Sequence, residues 1–247
     1  VDPEQDLIRV TVDPTGRFLF VLDGRVNLGN TGIIHMLQID SDGIPGGAVF
    51  NTPSGGFNPE AFVIAPNGRF LYVANSYGDR ITVFELDRDF GILTQKYSYT
   101  GYDRPTNMVL HPDGFSLYVV LENEESVARF RVEENGALSS LSEYQTATPE
   151  DTLEIALHPN RDRLYLTSYD GTIATFQVTA VGTLTYQGQV DIGLTHALAI
   201  TPDGMNLYGT TSQMIREFSL DATSGMPTLD GVLDVPGQAA HARPTLR

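Results

Sequence analysis

Cysteine is absent from the 247 residues. That removes disulfide staples, thiolate metal sites and cysteine nucleophiles, and it leaves the redox compartment open. Positive charge is scarce: 15 Lys plus Arg stand against 31 Asp plus Glu, the formal net charge is −16, and Lys96 is the single lysine. So acidic a chain is a poor match for nucleic acid or an anionic membrane surface, because phosphate binding needs clustered basic side chains. An acidic, lysine-poor surface fits a salty environment or an arginine-biased composition, and it serves solvation first. Long hydrophobic runs are missing too. Nothing approaches the roughly 18 apolar residues of a membrane helix, so no membrane insertion is expected. The start shows no signal-peptide pattern, yet the first residue is Val1 and not Met, which leaves upstream processing open. A secreted or cell-surface setting is expected ahead of a cytoplasmic one. A two-histidine metal spacing, a Ser-His-Asp arrangement and a glycine-rich phosphate loop are all lacking.

What the chain does have is a repeat. Within Asn58 to Leu93, short β-branched and aromatic runs alternate with turns: Ala61 to Ile64, Phe70 to Val73 and Ile81 to Leu86, with Leu93 opening a fourth. The turn Pro66-Asn67-Gly68 reverses the chain, proline presetting φ and glycine accepting a positive φ. The turn proline recurs as Pro14, Pro66, Pro112, Pro159 and Pro202, at spacings of 52, 46, 47 and 43 residues. Each is followed in phase by a leucine (Leu19, Leu71, Leu117, Leu164, Leu207) and then an aromatic residue (Phe20, Tyr72, Tyr118, Tyr165, Tyr208). A bulky apolar residue follows (Leu37, Phe84, Phe130, Phe176, Phe218), then a turn glycine (Gly43, Gly91, Gly136, Gly182, Gly225). Four short strands per repeat at this period predict an all-β fold, a β-propeller of four-stranded antiparallel blades. Five blades are expected, at about 5–55, 56–103, 104–150, 151–193 and 194–236, with 237–247 as a tail and 1–247 as a single domain. The alternative is part of a larger six- or seven-bladed propeller: Arg243-Pro244-Thr245 repeats Arg104-Pro105-Thr106, where the third unit begins.

In such a fold the first strand of each blade is innermost, and the loops beside it gather around a channel mouth. Aligning the units on the turn proline places Arg9, Asn107 and Glu154 at one level, with Glu60, Thr106 and His196 at the level before it. Carboxylates facing an arginine or one another have shifted pKa values and suit general acid-base work or cation binding. Glu60, Glu154 and His196 are therefore the catalytic candidates, and Glu60, Asn107 and Glu154 the candidate ligands for Ca²⁺ or Mg²⁺ on the channel axis. No other cofactor is expected. Arg9, Asn75, Thr106 and Glu122 complete the expected ligand-binding set. His111 and His158 directly precede the turn proline, where they read as turn caps, and His35 points outward from a third strand. The aromatic residue of each second strand reads as blade core. Asp23 to Gly32 is an insertion in the first unit, a place where binding loops occur.

Pro66 to Asn75 (PNGRFLYVAN) resembles the YVTN-type propeller repeat. The third unit, from His111-Pro112-Asp113-Gly114 through Tyr118 to Glu122 and on to Gly136-Ala137-Leu138, resembles the lactonase family of seven-bladed propellers. That family includes 6-phosphogluconolactonase-like and muconate-lactonizing proteins. The resemblance places Glu122 at the glutamate of the family's Asn-Glu-Leu motif. Where the family has Pro-Arg-His before the inner strand, this chain reads Pro105-Thr106-Asn107, which takes away the cationic partner of the carboxylate. The expectation is accordingly a non-catalytic binding or scaffold module that engages a protein, glycan or small ligand on its loop face. Its alternative is a hydrolase of sugar lactones using the carboxylates at the mouth.

Overall fold

The computed structural model describes residues 7–24, 31–145, 152–160, 162–191, 193, 197–211 and 214–234. The chain divides into two compact units, Val1–Glu124 with Ala128–Ser142, and Glu125–Val127 with Glu143–Arg247. It is an all-β chain. The first sheet consists of β1 (Leu7–Val12), β2 (Phe18–Asp23), β3 (Thr31–Ile39) and β4 (Pro45–Phe57). The second holds β5 (Pro59–Ile64), β6 (Phe70–Asn75), β7 (Arg80–Leu86) and β8 (Leu93–Thr100), and the third β9 (Pro105–Leu110), β10 (Ser116–Leu121), β11 (Ser126–Val132) and β12 (Leu138–Gln145). In the second unit, β13 (Thr152–Leu157), β14 (Arg163–Ser168), β15 (Thr172–Val178) and β16 (Leu184–Asp191) form the fourth sheet. The fifth is β17 (Ala197–Ile200), β18 (Asn206–Thr210), β19 (Met214–Leu220) and β20 (Pro227–Asp234). Each sheet runs in chain order as an antiparallel meander. Among the described residues no helix is long and apolar enough to cross a membrane.

The repeated Leu-aromatic pair explains how the sheets stack. Neighbours on a strand point to opposite faces, so one residue of the pair serves each side of the blade. Leu71 and Phe84 pack with Phe18, Phe20 and Met36 of the first sheet. Tyr72 and Val83, on the opposite face, pack with Leu117 and Phe130 of the third. The second unit repeats the scheme, with Tyr165 of the fourth sheet against Leu207 and Phe218 of the fifth. Tyr72, Tyr118, Tyr165 and Phe20 are fully buried, so these rings are blade core; each such burial stabilises by about 1.5–3 kcal/mol.

First strands are innermost within each unit. β1, β5 and β9 lie against one another in the first, and β13 against β17 in the second. The turn between first and second strands is closed by the residue before the proline. Asp13 accepts backbone N–H bonds from Thr15, Arg17 and Phe18, at 3.0, 2.8 and 2.7 Å. His111 Nδ1 lies 2.9 Å from Asp113 in its turn, and His158 Nδ1 accepts from the Asn160 N–H at 3.2 Å. His158 Nε2 then donates to the Gly204 carbonyl at 2.9 Å, which ties the fourth sheet to the fifth.

Candidate functional site

Two loops of the second and third sheets share one backbone plan. In the second sheet the Ser76 N–H donates to the Asn58 carbonyl; in the third the Glu122 N–H donates to the Arg104 carbonyl. Asn58 and Arg104 are the residues before β5 and β9, and both have positive φ, 49° and 56°. Asparagine tolerates that conformation, whereas an arginine is strained by it. The plan is the same but the side chains differ. In the second sheet Asn58 Nδ2 and Ser76 Oγ both donate to Glu60 Oε1, at 2.9 and 2.7 Å. In the third, Arg104 Nε stands 3.0 Å from Glu122 Oε2. That Nε is buried and makes no aligned hydrogen bond among the described residues, so at this atom the contact is Coulombic.

Between the two loops lies a cleft of about 380 Å³ lined by Ser76, Tyr77, Asp79, Asp103, Arg104 and Asn123. The short 3₁₀ turn Ser76–Gly78 pushes Tyr77 outward, where it is 57% exposed, and the Arg104 guanidinium lies over its ring at 5.5 Å. Asp79 Oδ1 accepts the Arg104 N–H at 3.1 Å, and Asp103 Oδ1 accepts Asn123 Nδ2 at 2.8 Å. Glu124 Oε1 accepts the Asp103 N–H at 3.1 Å. The cleft therefore offers one cation, an exposed aromatic face and fixed carboxylate and amide groups.

The expected site residues fall into three groups. Arg9, Glu60 and Asn107 come together: Arg9 donates from Nε to the Glu60 carbonyl at 3.1 Å and from its terminal nitrogen to Asn107 Oδ1 at 2.9 Å. Glu60 reaches the cleft through Ser76, and Glu122 through Arg104. Thr106 is buried beside them, its hydroxyl without a partner among the described residues. Asn75 lies away from the cleft lining. It is 0% exposed, accepting from Ser54 Oγ at 2.9 Å and donating to Thr82 Oγ1 at 3.1 Å, so it fastens β4 to β6 and β7 and does not line the cleft. Glu154 belongs to the second unit, where it is buried and its N–H donates to Thr167 Oγ1 at 3.1 Å. His196, most of the Asp23 to Gly32 insertion and the Arg243-Pro244-Thr245 triplet lie outside the described residues.

As for a cation on the axis, Asn107 Oδ1 already accepts from the Arg9 guanidinium and from the Met108 N–H. Among the described residues no three His, Asp or Glu side chains converge as a metal site. Asn107 Oδ1 is therefore occupied by protein donors.

The sequence matches the lactonase family, described as a 7-bladed beta-propeller, over residues 4–109 and 99–239, and the chain belongs to that family. A proposed 6-phosphogluconolactonase from Bacteroides fragilis is similar in structure, with a TM-score of 0.81 at 21% identity over 93% of this chain and 70% of that one. The periplasmic gluconolactonase of Pseudomonas aeruginosa gives 0.78 at 20% identity over 92% and 69%. The β-propeller domain of Swd1 from Myceliophteria thermophila gives 0.68 at 15% over 93% and 72%, so the architecture is not confined to lactonases. No curated protein is a significant match to the sequence. Among the described residues five four-stranded sheets stand against the family's seven blades.

Arg104, Tyr77, Asp79, Asp103 and Asn123 escaped the sequence reading, which sought the cation inside the inner strand. The signal was present: Arg104 directly precedes Pro105 as Asn58 precedes Pro59, so aligning the loops would have shown a charged residue where the neighbouring unit carries an amide.

Proposed function

We propose that the protein hydrolyses sugar lactones at the cleft between the second and third sheets. The observation that carries this reading is the Arg104–Glu122 pair, which supplies the cation that Thr106 and Asn107 lack. Membership of the lactonase family supports it over a purely scaffolding role. Glu122, as general base, takes a proton from water while the water oxygen bonds to the lactone carbonyl carbon. Arg104 sits beside the base and stabilises the oxyanion that develops. Collapse breaks the ring ester C–O bond, and the proton returns from Glu122 to the leaving alkoxide, giving the open hydroxy acid. Asp103 and Asn123 present fixed polar groups to the sugar hydroxyls.

The test is turnover of D-glucono-1,5-lactone, followed by acid release above the spontaneous rate. Glu122→Gln lowers kcat by about 10²–10⁴-fold, the usual weight of a general base, and Arg104→Gln by about 10²–10³-fold, the weight of an oxyanion donor. Glu154→Gln keeps near-normal turnover. A wild-type rate no better than buffer across a panel of sugar lactones overturns the reading, and so does an undiminished Glu122→Gln.

A further inference from the structure

The cleft's charge and shape favour one substrate class over another. We infer that it selects neutral, unphosphorylated sugar lactones and disfavours their phosphate esters, an inference that rests on the hydrolase reading for the word lactone but on the cleft alone for the charge selection. In the lining Asp79 and Asp103 are acidic and Arg104 is the single base, while Glu122 contacts Arg104 from behind and Glu124 holds the Asp103 N–H. Arg104 is already committed on several sides: Glu122 lies 3.0 Å from its Nε, Asp79 accepts its backbone N–H, and its guanidinium covers Tyr77. A phosphate dianion entering here meets an excess of negative charge, with no second arginine or lysine in the lining to offset it. Phosphate sites are built the other way, from clustered Arg, Lys and free backbone N–H groups. The chain as a whole carries the same sign, so its long-range field also repels dianions.

The rest of the lining suits an uncharged ring. Tyr77 presents an exposed aromatic face on which the C–H side of a sugar can lie. Around it, Asp79, Asp103 and Asn123 offer short planar acceptors and donors matched to neighbouring hydroxyls. Asp103 and Asn123 are already fixed by their mutual bond at 2.8 Å, which lowers the ordering cost on binding.

Turnover of D-glucono-1,5-lactone and of its 6-phosphate is compared with calorimetric binding of D-glucose and D-glucose 6-phosphate, on the wild-type chain and on Asp79→Asn/Asp103→Asn. The expected result is a preference of at least about tenfold for the neutral member of each pair, narrowing in 0.5 M NaCl. The double variant shifts each ratio toward the phosphate by about tenfold; asparagine keeps the hydrogen bonds and accepts the 47° φ of Asp79. Equal or better use of the phosphate by the wild type overturns the inference, as does a ratio unmoved in the double variant. The hydrolase reading is judged separately. Glucose preferred over its phosphate with no lactone turnover sinks the hydrolase and keeps the charge selection. Glu122-dependent turnover with the phosphate preferred does the reverse.

Discussion

Burial pushes the Asp13 carboxyl up, but the Thr15 hydroxyl and the backbone N–H groups of Phe18, Thr15 and Arg17 outweigh it and hold the group below its ordinary 3.8. A group depressed by folding adds stability above the unfolded value and loses it as pH falls through the folded one. Stability contributed by this turn is thus complete at neutral pH and disappears below about pH 4, the ordinary carboxylate range. Asp13→Ala is expected to cost about 1–3 kcal/mol at pH 7, since several backbone donors lose an ionised acceptor, and to flatten the acid limb of a urea-monitored stability curve. An unchanged acid limb would show that other carboxylates carry it. Arg104 gives a second residue-scale prediction. Its left-handed backbone costs about 1–2 kcal/mol, while the ion pair, its side chains 35% and 13% exposed, returns about 0–1 kcal/mol. Arg104→Asn should therefore melt no lower than the wild type while losing lactone turnover. A fall in Tm of several degrees would mean that Arg104 is retained for the fold and not for the site.

Between elements, the repeating glycine and tyrosine act as a clasp. Gly136 has a φ of +83°, and a Cβ placed there would stand 2.4 Å from Phe70 of the preceding sheet. Its carbonyl accepts the Tyr72 hydroxyl at 3.3 Å, and in the second unit the Gly225 carbonyl accepts that of Tyr165 at 2.9 Å. Buried away from water, both phenols are pushed well above the ordinary range and stay protonated donors. Gly136→Ala is expected to destabilise by about 2–4 kcal/mol, from left-handed strain and overpacking together. Tyr165→Phe is expected to cost about 1 kcal/mol, one neutral hydrogen bond. Chemical denaturation of each variant measures both, and a neutral Gly136→Ala would refute the clasp. These features were legible in the sequence because packing repeats: within each unit the sheets meet their neighbours in the same way, so the Leu71–Tyr72 pair recurs in phase. The site was less legible, because chemistry lives where the repeat is broken. In the proposed site Glu122 is legible through its family motif, and the Arg9–Asn107 contact through register. Arg104 is not, because only the folded loop carries its side chain to Glu122, and a polar residue at a strand end such as Asn75 gives no sign that Ser54, from another sheet, will bury it.

At the scale of the whole molecule, the 31 acidic residues outnumber the 15 basic ones, so at neutral pH even complete pairing would leave an excess of 16 carboxylates. Among the described residues Arg69 and Lys96 on Glu85, and Arg131 with Glu133, are exposed pairs, and pairs of that kind contribute little. Repulsion among unpaired surface carboxylates is therefore the larger long-range term, and it opposes the compact state. Salt screens it: the Debye length falls from about 30 Å at 0.01 M to about 10 Å at 0.1 M and about 3 Å at 1 M. The melting temperature is expected to rise by several degrees between about 0.02 and 0.5 M NaCl, most of the gain coming below about 0.2 M, where screening changes fastest. Sodium chloride and potassium chloride should act alike at equal ionic strength, because the effect is screening and not a bound ion. The same titration leaves KM for a neutral lactone nearly constant, since an uncharged substrate does not feel the field. A melting temperature that fell with salt would mean that attractive pairs outweigh the net repulsion, and a gain specific to one cation would point to a bound ion in place of screening.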